Sequence, residues 1–519
     1  MADYIYTMET RLTPEQQRAV SLVQDVARAQ EMNLYLTGGT IRDIISGFSI
    51  RDLDMTVQGN ALRLQKDLEK AGATIEGVDD DTKTLYLLFS GNVRAELGMA
   101  YSAAYEKPGK PPRIAPATIT EDLRRRDFTV NAMALSLNPG SRGLLLDPFN
   151  GVADIETKVI RVLHNYAFLE EPSRLIRATR FAHRFHWPLE ERTQARFDAA
   201  KENKYIEYMT DRAIGQEIEA LAYEEDPLHI MRALEKEEWL KLLHPRWSVA
   251  KVDTAGLSQL LKTRQQMMQF GYNVDMAPAV MYFLTRRLPD SDVRDMQKLI
   301  PRRQFVESWR NLEEDAAKLA KRLSGKEAAT PSRTWLLLSE AKPETILFLD
   351  ATARQQGVAQ KLKNFFGKWR QVRQKLPLPE MTELHITPQL PDYPKIEQEA
   401  FLLMLDGKLH SRTETLKFLK PYAPPPPPPP PPPRKGKGAK AEAAAPAAAP
   451  AAAAKKGKGK PAAVVAPVVA PKVEKPLEKP PAKAAKPSAP PKPQAKPAKA
   501  KSAPAKAKKG KNKKKKKKK

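Results

Sequence analysis

Short apolar runs punctuated by turn residues fill the first part of the chain, and helical spacing of apolar positions takes over from about residue 209. Residues 12–29 read as an amphipathic helix introduced by Thr13-Pro14-Glu15. In residues 34–57 (LYLTGGTIRDIISGFSIRDLDMTV) an apolar strand runs into Gly38-Gly39, a helix-like segment follows, and a second strand carries Asp52 and Asp54. Side chains alternate along a strand, so Asp52-Leu53-Asp54 sets both carboxylates on one face and turns Leu53 to the core. A helix is predicted over 61–71, and strands over 84–89 and 93–99 joined around Ser90-Gly91-Asn92. Residues 101–116, rich in Pro and Gly, predict a loop, mobile over the site. Thr120 and Glu121 then start a helix that delivers Arg124, Arg125 and Arg126 just before Asp127, and a strand follows over 133–137. Leu144–Leu146 predict a buried strand ending in a turn at Asp147, and 168–185 a single helix. Asp226-Pro227 opens a later helix with Ile230, Met231 and Leu234 inward. Others follow around Met267, 296–300 and 335–338, and 402–419 closes the folded part.

This order predicts an α+β N-terminal domain followed by an all-α neck, body and tail. The boundaries are 1–150 for the head, 151–225 for the neck, 226–422 for the helical body and 423–519 for an extension. Composition sharpens the last division. The net charge is +27, but residues 434–519 hold 28 Lys and Arg against three Glu, so the folded part is nearly neutral. Ten prolines at 424–433 predict a stiff polyproline spacer, and the Ala/Pro/Lys repeat behind it ends in seven lysines. Such a segment buries too little apolar surface to offset its ordering entropy, which predicts disorder. Its lysines, Lys513, Lys514 and Lys515 among them, suit sequence-independent attraction to RNA; a solubilising tail is the alternative. The absence of cysteine excludes disulfides and thiolate metal sites. No uncharged apolar run approaches the ~18–20 residues that span a bilayer, and the N-terminus lacks an apolar signal core, so a cytoplasmic protein without a membrane partner is expected.

Two carboxylates on one strand face can bridge divalent cations ~3.5–4 Å apart, an arrangement suited to displacement at phosphorus. Gly38 and Gly39 lie where a strand meets a helix N-terminus, which favours phosphate. If the strand over 93–99 pairs beside Asp52 and Asp54, Glu96 is a third carboxylate; otherwise it is a solvent-facing Glu. The three arginines at 124–126 suit a polyanion through their guanidinium forks. On the helix over 168–185, Arg177, Arg180 and Arg184 fall on one stripe suited to solvent or RNA phosphate. Glu171 and Arg174 fall instead on the apolar face as i,i+3 neighbours, either a structural salt bridge or a pair that reads a base. No adjacent His-Asp pair signals a phosphohydrolase domain.

Taken in order, Gly38-Gly39-x-x-Arg42-Asp43 through Asp52-x-Asp54, Asp122-Leu123-x-Arg125-Arg126-Asp127-Phe128-Thr129-x-Asn131-Ala132, Asp147-Pro148-x-x-Gly151 and Glu170-Glu171-Pro172-x-Arg174 resemble the motifs of class II tRNA nucleotidyltransferases and bacterial poly(A) polymerases. The resemblance runs from about residue 30 to 245, with a fainter one over 386–419. It implies a palm-like nucleotidyltransferase head, with two magnesium ions on Asp52 and Asp54. It further implies a triphosphate held by Gly38, Gly39, Arg42 and Arg126, and a nucleotide supported by Asp127, Asn131 and Arg177. Glu171 and Arg174 would pair with the base edge. The implied substrates are CTP, ATP and a tRNA 3′ end, with CCA addition as the leading reading. A-addition, poly(A) synthesis and a non-catalytic RNA-binding protein are the alternatives. The chain departs from the family pattern in three places: Glu171 stands where Asp is usual, Tyr101-Ser102-Ala103-Ala104-Tyr105 replaces Arg-x-Glu-x-Tyr, and LPDYPKIEQE replaces a glycine-rich turn.

Overall fold

The computed structural model describes residues 3–108 and 110–424. The polyproline spacer beyond Pro424 and the basic extension, with Lys513, Lys514 and Lys515, lie outside the described residues.

Two helices, α1 (Tyr4–Arg11) and α2 (Pro14–Ala29), open the chain. Thr13 and Gln16 cap α2 reciprocally, and Ala19, Val20, Val23 and Ala27 form its buried stripe. Helix α1, capped by Asp3, escapes the sequence pattern because only Met8 among its eight residues is buried. Next come β1 (Asn33–Thr37), α3 (Gly38–Ser46) and β2 (Asp52–Gln58), as the pattern predicts. The helix expected over 61–71 is a 3-10 turn at Ala61–Leu64 followed by α4 (Gln65–Lys70). An unanticipated strand, β3 (Thr74–Asp79), precedes β4 (Thr84–Phe89) and β5 (Val93–Met99), whose bounds match expectation. Residues 101–116 are not a simple loop: β6 (Tyr101–Ala104) and β7 (Arg113–Pro116) pair antiparallel as a separate ribbon. Backbone pairing of residues at the two ends of the Pro/Gly-rich stretch overrides its loop-like composition, which holds only for the turn between them.

Helix α5 (Ile119–Arg124) begins two residues earlier than predicted, because Thr118 and Glu121 form the capping box. Strand β8 (Ala134–Ser136) is buried, but β9 (Leu145–Leu146) is a two-residue edge strand and Leu144 is exposed rather than buried. The main sheet has the order β3-β4-β5-β2-β1-β8-β9. Only β2 and β5 run parallel, and that pairing aligns Asp52 with Arg94 and Asp54 with Glu96.

Asp147 accepts from the backbone N–H groups of Gly151 (2.7 Å) and Val152 (3.0 Å), which fixes the start of α6 (Gly151–Thr157). The helix expected over 168–185 is broken: α7 (Ala167–Glu170) stops at Glu171-Pro172 and α8 (Ser173–Phe185) starts anew. Pro172 has no N–H to continue the ladder. Helices α9 (Glu191–Glu202) and α10 (Asp211–Ala222) follow, and the elements beyond them among the described residues are all helical. Asp226 caps Pro227–Lys236, with Ile230, Met231 and Leu234 buried as predicted. The segment over 402–419 is split between Tyr393–Leu405 and Arg412–Leu419, with Gly407 in the left-handed region at the break. One continuous core joins the sheet to the body helices through Lys368–Arg373, and the last helices pack a smaller core on Met381, Ile386, Ile396 and Leu419. Among the described residues no helix is long and apolar enough to cross a membrane.

Candidate active site

A cleft of about 1000 Å³ opens between the sheet, the β6–β7 ribbon, α8 and α10. Asp52, Asp54 and Glu96 line one wall, and Arg126, Asp127, Glu171, Arg174 and Arg177 line another. The parallel register of β2 and β5 pairs Glu96 with Asp54. Residues paired across strands point to the same face, so Glu96 shares the face of Asp54.

The glycines explain why the carboxylates come so close to the backbone. Gly38 has φ +59, and a Cβ there would meet Arg126 Nη1 at 2.9 Å and Asp54 Oδ2 at 3.0 Å. A Cβ on Gly39 would meet Asp54 Oδ2 at 3.0 Å. Thr40 ties the two aspartates together, donating its hydroxyl to Asp52 O (3.2 Å) and accepting from Asp54 N (2.6 Å). Burial, then Glu96 and Asp52, push the Asp54 carboxyl up to about 7, against the pull of Arg126 and Arg42. Glu96 reaches the cleft solvent but is hemmed in by protein, and this burial raises its carboxyl as well, with Arg302, Arg126 and Arg125 opposing. The wall therefore crowds three carboxylates in a place where burial, more than charge, disfavours their ionised forms.

Arg126 is aimed by a carboxylate that is fully buried. Asp122 accepts from Arg125 Nη2 through Oδ1 (2.6 Å) and from Arg126 Nη2 through Oδ2 (2.9 Å). Burial alone would raise Asp122, but Arg126 and Arg125 hold it below its ordinary value. Arg125 also stacks on Tyr101, 3.5 Å from its ring centre. Arg124 is exposed, so the triplet divides into two arginines that line the cleft and one that faces solvent.

A chain of contacts then runs along the far wall. Arg42 is buried, with Nε on Asp43 (2.8 Å), Nη1 on Asn131 Oδ1 (2.7 Å) and its guanidinium 4.7 Å from the Phe185 ring centre. Asn131 donates to Asp127 Oδ1 (3.0 Å), and Arg177 donates to Asp127 Oδ2 (3.0 Å). Asp127 would rise on burial, yet Arg177 and Asn131 keep it low. Glu171 pairs with Arg174 at 3.2 Å, as their spacing predicts, and approaches Arg177 at 3.6 Å. Arg174 is only 1% exposed and donates to the carbonyls of Ala167 (3.1 Å) and Arg125 (2.7 Å), whereas Glu171 opens to the cleft.

The stripe of Arg177, Arg180 and Arg184 corrects the expectation of a solvent- or RNA-facing surface. Arg180 is 4% exposed, donating to Glu217 (2.9 Å) and Glu224 (2.7 Å), and Arg184 pairs with Glu224 as well. Arg177 adds a contact to Glu217 at 3.4 Å. Helix α8 is therefore covered on its polar side by α10 and the residue pair that ends it. The helical pattern could not show this, because the partner carboxylates lie some 40 residues away.

Sequence reasoning also missed Arg94. Its Nε and Nη2 both donate to Asp52 Oδ1, at 2.9 and 2.6 Å. Its alternation in Val93-Arg94-Ala95-Glu96 places it on the Glu96 face, which was the available signal.

Asp52, Asp54 and Glu96 offer hard carboxylate oxygens, which suit Mg2+. Among the described residues no three acidic or His side chains are drawn into a formed ion cage. The fit rests on donor chemistry and on the burial and neighbouring carboxylates that together lift Asp54.

Residues 34–161 match the family model described as the poly A polymerase head domain. The A-adding tRNA nucleotidyltransferase of Halalkalibacterium halodurans is 33% identical over 240 residues, 46% of this chain and 56% of that protein. That of Geobacter sulfurreducens is 25% identical over 415 residues, 77% of this chain and 46% of that protein. The CC-adding tRNA nucleotidyltransferase of Deinococcus radiodurans is 35% identical over 154 residues, 30% of this chain and 41% of that protein. These matches span about half the length of those relatives. A solved CCA-adding enzyme, apo form II, aligns with 81% of this chain and 99% of its own at 27% identity and a TM-score of 0.42. Residues 34–161 therefore match the poly A polymerase head domain, and the chain is similar over the stated lengths to A-adding and CC-adding tRNA nucleotidyltransferases.

Proposed function

We propose that the chain is a template-independent nucleotidyltransferase that adds CCA to tRNA 3′ ends from CTP and ATP, releasing pyrophosphate in the cytoplasm. The observation that carries this reading is the parallel register that sets Glu96 beside Asp54 and Asp52, against a Gly38–Gly39 turn closed by Arg126. The printed names of the relatives, A-adding, CC-adding and multifunctional CCA proteins, support RNA 3′ ends as the acceptor.

Asp52 and Asp54, with Glu96 as a third carboxylate, would hold two magnesium ions. Such ions lower the pKa of an attacking 3′-hydroxyl and neutralise the leaving pyrophosphate. Backbone N–H groups at the start of α3 and the Arg126 fork, aimed by Asp122, would bind the triphosphate. Arg42 is spent on Asp43 and Asn131, so its charge acts from behind the turn and not by direct contact. Asp127 and Asn131 would support the ribose. Arg174 fixes the Glu171 carboxylate, and Glu171 presents acceptors to a base amino group. In this scheme residues 1–150 form the head, 151–225 the neck and 226–422 the RNA-binding body.

A second reading, addition of A alone, is favoured by the names of relatives whose matches extend furthest, 240 and 415 residues. One experiment separates the two. The protein is incubated with tRNA lacking its CCA end, and separately with tRNA ending in CC, with Mg2+ and CTP, ATP or both, and the added nucleotides are sequenced. CCA supports the first reading, a single A on tRNA ending in CC supports the second, and a long A tract would show poly(A) synthesis.

A further inference from the structure

Arg94 stands between two carboxylates from different parts of the fold. On the head side it grips Asp52 Oδ1 through Nε and Nη2. On the body side its Nη1 lies 3.5 Å from Asp275 Oδ2, yet this buried atom has no hydrogen-bond partner among the described residues. Asp275 lies two residues before the start of the body helix Ala277–Thr285 and is anchored by accepting from Ala277 N at 2.9 Å. The guanidinium lies over the Tyr223 ring, 4.1 Å from its centre, which covers one face of the fork.

An arginine fork that satisfies one carboxylate fully and leaves a buried N–H aimed at a second is arranged for exchange. A buried donor without a partner costs free energy that a small rotation toward Asp275 would recover. A divalent cation arriving at Asp52 supplies the reason to rotate, because it competes with Arg94 for Oδ1 and repels the guanidinium. We infer that Arg94 is a positioning residue that serves as the resident counter-ion of Asp52, and that cation binding passes it from Asp52 to Asp275, so that cation loading tightens the bridge between head and body.

The inference rests on the cation-binding reading of Asp52 and Asp54, and its test separates the two. Mn2+ is titrated into the full chain without nucleotide or RNA, with free Mn2+ followed by electron paramagnetic resonance, alongside thermal melts with and without Mn2+. Wild type should bind Mn2+ at a site that Asp54→Asn weakens; if it does not, both readings fall together. Given that site, Arg94→Gln should bind Mn2+ about tenfold more tightly, since a competing positive charge is gone. Asp275→Asn should bind it several-fold more weakly, because the displaced fork finds no carboxylate, and should show a smaller Mn2+-induced rise in melting temperature. Equal or weaker binding by Arg94→Gln, with the wild-type site intact, overturns the inference alone. Should Arg94→Gln fail to fold, Asp275→Asn decides: binding and melting shift equal to wild type overturn it.

Discussion

Asp54 lies against Gly39 with no room for a methyl group between them, and this contact has a direct consequence for activity. Gly39→Ala would shift the carboxylate by a few tenths of an ångström from its place beside Asp52, so turnover should fall by about tenfold, less than an ångström of misplacement can cost. Circular dichroism should show the fold retained. The charge crowding gives a second consequence. Asp54 is lifted from the ordinary carboxylate value to about 7, so protonating it stabilises the folded protein. That stability is fully present below about 4 and is lost as pH rises through 7. Metal-free protein should therefore melt at a higher temperature at pH 5.5 than at pH 8 through this group, and Asp54→Asn should shrink the difference. The same proton competes with a cation, so the apparent Kd for Mg2+ should rise about tenfold for each pH unit below 7.

Helix α8 shows how far an element's role can depart from its pattern. Its spacing does bring Arg174 to Glu171, three residues earlier at the break that precedes the helix. The stripe's environment is non-local: Glu217 of α10 and Glu224, two residues beyond that helix, turn apparent surface arginines into buried ion pairs. Arg180→Ala would remove the cation shared by two buried carboxylates, leaving Glu217 only its long contact to Arg177 and Glu224 only Arg184, and should cost about 3 kcal/mol of stability, measured by urea unfolding. A loss confined to RNA binding, with stability unchanged, would restore the surface reading. The ribbon at 101–116 makes the same point from the other side: its Pro and Gly content is visible in the sequence, while the pairing of Tyr101 with Pro116 is not. Strands β1, β2, β4 and β5 were legible because alternation and turn residues agree there, and so was the shared face of Asp52 and Asp54. The position of Glu96 beside them needed the crossing of β5 to β2, which only the fold supplies.

At the scale of the molecule, charge and catalysis are separated along the chain. The folded part is nearly neutral, and residues 434–519 carry +25 of the +27. Deleting 434–519 should weaken RNA binding most at low salt and flatten the dependence of affinity on salt, while turnover at saturating tRNA stays unchanged. A collapse of turnover would give the extension a role in the reaction itself. The central claim, however, is that the Asp52–Asp54–Glu96 face performs nucleotidyl transfer. Its most direct test is the Mg2+-dependent rate of CMP and AMP incorporation into tRNA lacking CCA, compared between wild type and Asp54→Ala at pH 8. Losing several kcal/mol of metal-borne stabilisation should lower the rate by at least about 10³-fold with the fold intact. Wild-type protein that incorporates nothing, or an Asp54→Ala variant that incorporates at the wild-type rate, would contradict the account.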